Sequence, residues 1–335
     1  MNGESRAVSE RTDVVCLRPK DDFLKLGITP PETLAIRYLS PDDSELPHYL
    51  AEARALVIPA VGPTLPAELF DASSIELVQV TGAGIDRLDA NALQAMGIAI
   101  ANVPGGSSAA IAEYAVSSAL LLLRRTFWAD GELRKGNYVE ARRRMLQENL
   151  AGLEGLTVGV VGLGIIGMRV AEAFHSLGSK ITYHDPAPRD AKLASQLGAV
   201  ALPLADLLGS ADILTLHVPL LPSTKSMIGE RELGQMKVGA ILINAARGGI
   251  VDEAALVRYL DNGHLAGAAV DVYSSEPPAA DNVLLKAENT LGRRLLLTPH
   301  IAGVTRQSWA YLFRSAWNNV ERFLLHEELP ANRVV

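Results

Sequence analysis

The sequence predicts an α/β protein made of two doubly wound parallel-sheet domains. Short apolar runs of strand length alternate with helical segments along most of the chain, which is typical of parallel sheets covered by helices. The length of 335 residues is more than one compact core usually holds. The apolar share of 48% and charged share of 21% are those of a globular protein rather than a disordered or fibrous one.

The first third of the chain predicts a small open sheet of its own. Five apolar runs bounded by Pro-rich and acidic turns predict strands at 14–17, 34–38, 55–58, 77–80 and 98–101. A helix is predicted at 87–96. We assign 1–102 to the first part of a smaller, flavodoxin-like substrate domain.

Two long helices are predicted to flank a second domain. The first, at 108–125, is almost continuously apolar and follows Gly and Ser residues that can cap it. The second, at 305–326, is amphipathic, and its aromatic residues have core spacing. Further strands at 213–217, 240–244 and 268–272 predict a larger domain over 103–302, with 303–335 returning to the substrate domain and a cleft between the two domains.

A glycine-rich turn lies in the context that a dinucleotide site requires. The apolar strand 158–161 runs into Gly162-Leu163-Gly164-Ile165-Ile166-Gly167, and a helix is predicted at 168–177. In a G-x-G-x-x-G motif the first glycine permits a tight turn, the second lets the backbone approach a pyrophosphate, and the third lets helix and strand pack closely. A plain structural turn is the alternative, and the flanking elements favour a Rossmann domain.

Asp185 indicates which dinucleotide is bound. It ends the next predicted strand, 180–183, at the distance expected for a ribose-binding acid. A carboxylate there accepts hydrogen bonds from the ribose hydroxyls of NAD and repels the 2′-phosphate of NADP. A solvated acid held at a strand end by Pro186 is the alternative.

Charge and cysteine content exclude several other classes. The net charge of −7 argues against nucleic acid as a partner, so an anionic substrate needs local arginines. Cys16 is the sole cysteine, which excludes an intrachain disulfide and disfavours a metal site; a core position is predicted for it. We see no apolar segment typical of a membrane span and no signal-peptide pattern at the polar start, so a cytoplasmic protein is expected.

Three polar residues that follow the glycine motif form a set suited to hydride transfer. They are Arg247, Glu276 and His300, each near the end of a predicted strand or in the loop after it. Reduction of a 2-keto acid needs a cation for the carboxylate and carbonyl, a proton donor, and a partner that keeps the donor protonated. Taken singly, each has a structural alternative: a surface arginine, a capping acid and a buried histidine.

The chain resembles the NAD-dependent D-isomer-specific 2-hydroxyacid dehydrogenases, which include phosphoglycerate, glycerate, glyoxylate and hydroxypyruvate enzymes. The motifs that carry the resemblance are Thr81-Gly82-Ala83-Gly84-Ile85-Asp86, Ser108 through Tyr114, the glycine motif with Asp185, His217-Val218-Pro219-Leu220, Asn244 through Gly248 with Val251-Asp252-Glu253, Asp271-Val272 with Glu276-Pro277, and Thr298-Pro299-His300.

The resemblance implies a role for each matching position. Substrate-binding residues are Gly82, Ala83 and Gly84, through backbone N–H groups, and Arg247, which orients the substrate. His300 paired with Glu276 is the acid/base. Residues implied in NAD binding are Ser108, Gly162, Gly164, Ile165, Ile166, Gly167, Asp185, His217, Pro219, Ala245, Arg247, Asp271 and His300. A homodimer is also implied.

Two features of the sequence depart from the family pattern. The stretch from Glu276 to His300 is longer than usual and contains Arg293-Arg294. The loop 59–64, expected to face the substrate side chain, carries no charge, which disfavours a phosphorylated substrate held from that loop.

Two other functions stay open from the sequence. Phosphite dehydrogenases of the same superfamily share the triad, whereas formate dehydrogenases have glutamine at the position of Glu276. NAD-sensing corepressors also retain the triad, although the absence of a long disordered tail and the acidic charge favour a metabolic enzyme.

Overall fold

The chain divides into two compact units in a computed structural model. The structure describes residues 12–148, 150–187, 191–291 and 294–335, and the side chains of 191–193 and 288–290 lie outside that description. One unit consists of residues 1–107 and 305–335, and the other of residues 108–304. Among the described residues, no helix is long and apolar enough to cross a membrane.

The first unit holds five described strands, four α-helices and one short 3-10 helix. They are β1 (Val14–Cys16), α1 (Lys20–Leu24), β2 (Ile36–Tyr38), α2 (Leu46–Glu52), β3 (Ala55–Ile58), the 3-10 helix (Ala67–Phe70), β4 (Leu77–Val80), α3 (Ala90–Ala95), β5 (Ala99–Ala101) and α13 (Arg306–His326). The strands pair in parallel in the order β2-β1-β3-β4-β5, which is the flavodoxin-like order.

The C-terminal helix α13 completes the core of this first unit. Its buried face, which includes Phe313 and Trp317, packs with Val14, Cys16 and Phe23. The aromatic residues Trp309, Phe313, Trp317 and Phe323 of α13 therefore serve packing, as their spacing predicts. The prediction for Cys16 is also confirmed: it is fully buried, and burial raises the pKa of its thiol to about 12.

The second unit holds the remaining described elements. They are α4 (Ser108–Leu123), α5 (Thr126–Arg134), α6 (Tyr138–Gln147), β6 (Thr157–Val161), α7 (Ile165–Ser176), β7 (Lys180–His184), α8 (Ala191–Gln196), β8 (Val200–Ala201), α9 (Leu204–Ser210), β9 (Ile213–Leu216), α10 (Glu230–Gln235), β10 (Ile241–Asn244), α11 (Glu253–Asp261), β11 (Gly267–Val270), α12 (Val283–Leu291) and β12 (Leu295–Leu297).

The sheet of the second unit has the order of a dinucleotide-binding fold. Its described strands pair in parallel in the order β12-β11-β10-β9-β6-β7-β8. Strand order reverses between β6 and β9, and the crevice at such a switch point is where open α/β sheets bind ligands. The predicted class, two doubly wound parallel-sheet domains, is confirmed.

Several predicted boundaries differ from the structure. Helix α7 begins at Ile165, directly after Gly164, and not at Met168. The predicted helix 87–96 is shorter, because Asp89 accepts a hydrogen bond from Ala92 N–H and caps a helix that starts at Ala90. Strand β12 was not predicted. It pairs with β11 at the sheet edge through Leu295–Leu297, a run too short to separate from a loop by pattern alone.

Candidate active site

The glycine motif forms the turn between β6 and α7 and has the shape that a pyrophosphate requires. Gly162 has φ +89°, a conformation that L side chains rarely adopt. A Cβ at Gly167 would lie 1.9 Å from the carbonyl oxygen of Gly162, so helix and turn pack too closely for any side chain there. A Cβ at Gly164 would meet nothing within 4 Å. The backbone at the start of α7 is therefore open to a ligand, and the site fits a dinucleotide.

Ile165 and Ile166 follow this turn as the first residues of α7. Ile165 is 62% exposed, which is unusual for a large aliphatic side chain. Its exposure beside an open glycine turn is what a residue in contact with a bound cofactor would show.

Asp185 lies at the carboxyl end of β7 and is half-buried. Its Oδ2 accepts a hydrogen bond from the Leu163 N–H at 2.8 Å, and its Oδ1 accepts one from the Ala187 N–H at 2.9 Å. Asp185 is thus tied to the glycine turn itself, a contact that the sequence did not indicate. Because a carboxylate has about four lone-pair sites, acceptor capacity for ribose hydroxyls is left.

The turn after β4 in the first unit presents three consecutive backbone amides. Among the described residues, no acceptor lies within hydrogen-bond reach of the N–H groups of Gly82, Ala83 and Gly84. The carbonyl groups of the same turn are held, because Val103 N–H donates to Gly82 O at 2.8 Å and Asn102 Nδ2 donates to Ala83 O at 2.7 Å. A fixed turn with free donors is suited to binding a carboxylate.

Arg247 lies in the turn after β10 in the second unit. Asn244 shapes this turn: its Oδ1 accepts from Ala246 N–H at 3.2 Å, and its Nδ2 donates to the Arg247 carbonyl at 3.3 Å. The Arg247 guanidinium donates to the Ala246 carbonyl at 2.7 Å. Asn244 is 3% exposed, and its two side-chain hydrogen bonds stabilise the turn. The sequence did not indicate this structural role.

His300 and Glu276 form a hydrogen-bonded pair in the same unit. Nδ1 of His300 lies 2.7 Å from Oε2 of Glu276, and both side chains are 25% exposed. The Tyr273 N–H donates to the other carboxylate oxygen, Oε1, at 3.0 Å. Within the described part of the chain no residue hydrogen-bonds Nε2 of His300. That nitrogen is the one available to a substrate.

The electrostatics fix the roles within this pair. Burial alone would raise the pKa of Glu276, but hydrogen bonds from His300 and Tyr273, with the charges of His300 and Arg247, outweigh burial and hold that pKa below its ordinary value. Glu276 is therefore ionised at neutral pH and accepts hydrogen bonds only. Nδ1 of His300 must carry the proton of this hydrogen bond, which leaves Nε2 as the ring nitrogen that can exchange a proton. The charge of Arg247 therefore acts on the carboxylate that is paired with His300.

A buried carboxylate anchors the segment that carries His300. Asp271 is 1% exposed; its Oδ1 accepts from the Thr298 hydroxyl at 2.6 Å and from Ile301 N–H at 2.8 Å, and its Oδ2 accepts from Ala302 N–H at 2.8 Å. Burial raises the pKa of Asp271 despite these donors. Asp271 therefore holds the backbone on both sides of His300, a role beyond the cofactor contact that the resemblance implies.

Two tyrosines extend this network. The hydroxyl groups of Tyr114 and Thr298 lie 2.7 Å apart, and the Tyr273 hydroxyl donates to the Thr298 carbonyl at 3.0 Å. Burial raises the pKa of each phenol to about 12, so both are neutral donors. Tyr114 and Thr298 belong to the motifs of the resemblance, but only their contacts reveal what they do.

The remaining predicted cofactor residues lie at the carboxyl edge of the same sheet or at the start of α4. His217 and Pro219 follow β9, Ala245 follows β10, and Ser108 is the first residue of α4. Burial lowers the pKa of His217 to about 3, so its imidazole is neutral. Its Nε2 lies 2.8 Å from Thr215 Oγ1, and its buried Nδ1 has no partner among the described residues.

The long stretch between Glu276 and His300 folds into helix α12 and strand β12 rather than an extended loop. Arg293 lies outside the described residues. Arg294 donates to the carbonyl groups of Leu260 at 2.8 Å and Leu291 at 3.4 Å, which fastens the end of α12 to α11. Its guanidinium serves packing of this unit.

Comparison with known proteins decides the family. Residues 116–302 match the family model described as "D-isomer specific 2-hydroxyacid dehydrogenase, NAD binding domain". The chain belongs to this family. It therefore contains the NAD-binding domain that the glycine turn and Asp185 predict.

The relatives that match most of this chain are named for different substrates. The chain is 36% identical over 268 residues to a protein from Aeropyrum pernix named "Glyoxylate reductase", covering 79% of this chain and 78% of that one. It is 39% identical over 243 residues to a "D-3-phosphoglycerate dehydrogenase" from Archaeoglobus fulgidus, covering 72% of this chain but 44% of that protein. The chain thus spans under half the length of that relative.

A solved structure shows the same fold. The structure described as D-lactate dehydrogenase from Aquifex aeolicus complexed with NAD and lactic acid has a TM-score of 0.83 and 26% identity, and the match covers 97% of this chain and 99% of that one.

Proposed function

We propose that this protein is an NAD-dependent oxidoreductase that interconverts a D-2-hydroxy acid and its 2-keto acid. The observation that carries the proposal is the 2.7 Å hydrogen bond between His300 Nδ1 and Glu276 Oε2, with Nε2 of the same ring left for substrate. Arg247 lies near enough to act on the Glu276 carboxylate electrostatically. Glycine-turn geometry and family membership support NAD as the cofactor.

Each residue supplies one requirement of the reaction. The guanidinium of Arg247 orients the substrate carboxylate and polarises the adjacent carbonyl, and the amides of Gly82, Ala83 and Gly84 bind the carboxylate. In reduction, protonated His300 gives its Nε2 proton to the oxygen of the forming alkoxide, and Glu276 stabilises the imidazolium until then. NADH, when bound, supplies the hydride that reduces the keto carbon.

Residues of the second unit would hold the cofactor. Backbone groups of Gly162, Gly164 and Gly167 and the start of α7, Ile165 and Ile166, suit the pyrophosphate. Asp185 suits the adenosine ribose, since it retains acceptor capacity beside its contact with Leu163. We place Ser108, His217, Pro219, Ala245 and Asp271 around the rest of the dinucleotide on the family resemblance.

The test follows NADH loss with a panel of 2-keto acids. Glyoxylate, hydroxypyruvate, pyruvate and bulkier aliphatic acids are compared, and the configuration of the hydroxy acid product is determined. The proposal predicts turnover of at least one keto acid with a D product, and loss of that turnover in His300→Ala. No turnover of any keto acid, together with NADH formation from phosphite and NAD, would instead identify a phosphite dehydrogenase.

A homodimer is the assembly that we propose, and cytoplasm is the compartment. Exposed aliphatic residues on α5 and α6 support self-association: Leu133, Val139 and Leu146 are 52%, 78% and 67% exposed. Light scattering should give twice the chain mass for the wild type and one chain mass for Val139→Asp with Leu146→Asp. Val238→Asp, equally exposed at 78%, is the control that should stay dimeric. Cell fractionation tests the compartment.

A further inference from the structure

One arginine holds the loop at residues 59–65 of the first unit. Arg87 donates from Nε to the Pro63 carbonyl and from one terminal nitrogen to the Pro59 carbonyl, each at 2.8 Å. Its own carbonyl accepts from Leu65 N–H at 2.9 Å. Three hydrogen bonds from a single residue thus fix both ends of the loop.

The loop wraps around the guanidinium closely. Gly62 has φ +142°, and a Cβ there would lie 3.0 Å from the Arg87 Cζ atom. A side chain at position 62 would therefore strain the backbone and crowd the guanidinium. The loop conformation and the arginine depend on each other.

The same loop lies against the turn with the free amides. It follows β3, whose neighbour β4 leads into Gly82, and a Cβ at Gly82 would lie 2.6 Å from the Cβ of Ala60. Loops at the carboxyl ends of adjacent parallel strands are where such sheets bind ligands. A shift of Ala60 would therefore displace the backbone at Gly82, the first of the three amides proposed to bind the substrate carboxylate.

Arg87 occupies this position without a carboxylate partner. It is 4% exposed, and among the described residues it forms no ion pair; its second terminal nitrogen is buried with no hydrogen-bond partner. Burial of an unpaired guanidinium is costly, and hydrogen bonds to carbonyl groups offset only part of that cost. A residue needed for packing alone could be apolar here.

We propose that Arg87 is a positioning residue that sets the shape of the 59–65 loop and, through it, the substrate side-chain selectivity of the reaction. The inference rests on the proposed function, because selectivity for a substrate side chain presupposes that reaction. The hydrogen bonds that carry the loop geometry do not depend on it. The uncharged 59–65 loop is thus held in shape by the charged guanidinium of Arg87.

The test compares Arg87→Met and Arg87→Lys with the wild type. Methionine keeps the chain length and removes all donors, whereas lysine keeps the charge but cannot span two carbonyl groups in fixed directions. Arg54→Met is the matched control, because Arg54 immediately precedes β3 at the opposite end of that strand and pairs with Glu76. The ratio of kcat/KM for glyoxylate to that for a bulky aliphatic 2-keto acid is measured, with NADH affinity and amide hydrogen exchange of the 59–65 peptide.

Both Arg87 variants should change the substrate ratio by about tenfold, the scale on which a reshaped pocket discriminates side chains. Exchange should accelerate in the 59–65 peptide, while NADH affinity stays unchanged and Arg54→Met keeps the wild-type ratio. An unchanged ratio, with both substrates losing equally, would overturn the proposal and leave Arg87 a structural residue.

The two proposals fail separately. If the wild type reduces no keto acid, the selectivity role is overturned together with the proposed function, and the exchange data still decide whether Arg87 fixes the loop. Should Arg87→Met not fold, Arg87→Lys carries the same comparison.

Discussion

The Thr298 hydroxyl donates a 2.6 Å hydrogen bond to Oδ1 of Asp271, which joins the segment before His300 to a carboxylate buried at the end of β11. The N–H groups of Ile301 and Ala302 donate to the same carboxylate from the other side. His300, between them, has φ +55°, a conformation uncommon outside glycine. The surrounding hydrogen bonds hold this strained residue in place.

Thr298→Val should therefore weaken the support of His300. Valine keeps the shape but leaves the buried carboxylate with one donor fewer and removes the acceptor of the Tyr114 hydroxyl, a loss of about 1–3 kcal/mol. Burial already raises the pKa of Asp271, and the lost donor should raise that pKa further, so the destabilisation should be larger at neutral pH than below the pKa of Asp271, where the carboxyl is protonated. Thermal midpoints at several pH values measure this. Thr182→Val is the control, because the hydroxyl of Thr182 makes only a long hydrogen bond of 3.5 Å. Equal thermal midpoints for Thr298→Val and Thr182→Val would refute the anchoring role.

Arg247→Lys should damage catalysis although charge is kept. One ammonium cannot span carboxylate and carbonyl as a planar guanidinium does, and the loss in transition-state binding should be about 2–5 kcal/mol. Steady-state kinetics with the best keto acid measures kcat/KM, and NADH binding should stay nearly intact. Arg258→Lys, at a surface pair with Glu230, should be silent. Near-normal kcat/KM in Arg247→Lys would remove the substrate-orienting role.

Asp185→Ala should weaken NAD binding and relax discrimination against NADP, because it removes the ribose acceptor and the repulsion of the 2′-phosphate. It also removes the acceptor for Leu163 N–H, so the glycine turn should loosen and the affinity for both cofactors should fall. Asp185→Asn separates the effects, since its amide oxygen can keep the Leu163 bond without the charge. The ratio of NAD to NADP affinity in both variants is the measurement. An unchanged ratio in both would show that Asp185 does not select the cofactor.

His300→Ala should slow keto acid reduction by about 10²- to 10⁴-fold, the usual contribution of a general acid. The variant should still bind NADH, which titration by fluorescence checks. His175→Ala, at an exposed position on α7 of the same unit, is the control for loss of an imidazole. Equal rates for the two variants would contradict the assignment of His300.

Much of the fold follows from local pattern in this chain. Apolar runs such as 55–58 and 77–80 are fully buried strands, and the G-x-G-x-x-G turn lies between β6 and α7 as predicted. Helices α5 and α6, by contrast, have polar sequences in which no apolar pattern predicts a helix. Their many ion pairs, such as Arg134 with Asp130 one helical turn away, stabilise helices that lack a strong apolar face.

The residues of the candidate site can be predicted from the sequence, but the hydrogen bonds that hold them in place cannot. Arg247, Glu276 and His300 follow from chemistry and motif. By contrast, the partners of the Asp271 carboxylate lie 27 to 31 positions away in the chain, and those of the Arg87 guanidinium lie 24 to 28 positions away. The spacing of apolar residues along the sequence cannot predict such contacts, because they join loops that only the path of the chain between strands brings together. For the same reason the link between Asp185 and Leu163 was missed.

The most direct test of the His300–Glu276 acid/base pair is kcat/KM against pH in both directions for the wild type and Glu276→Gln. A carboxylate beside an imidazole favours the protonated ring. Removal of its charge should therefore move the falling limb of keto acid reduction and the rising limb of hydroxy acid oxidation together to lower pH. Coincident profiles for folded wild type and variant would contradict the account and remove Glu276 from the mechanism.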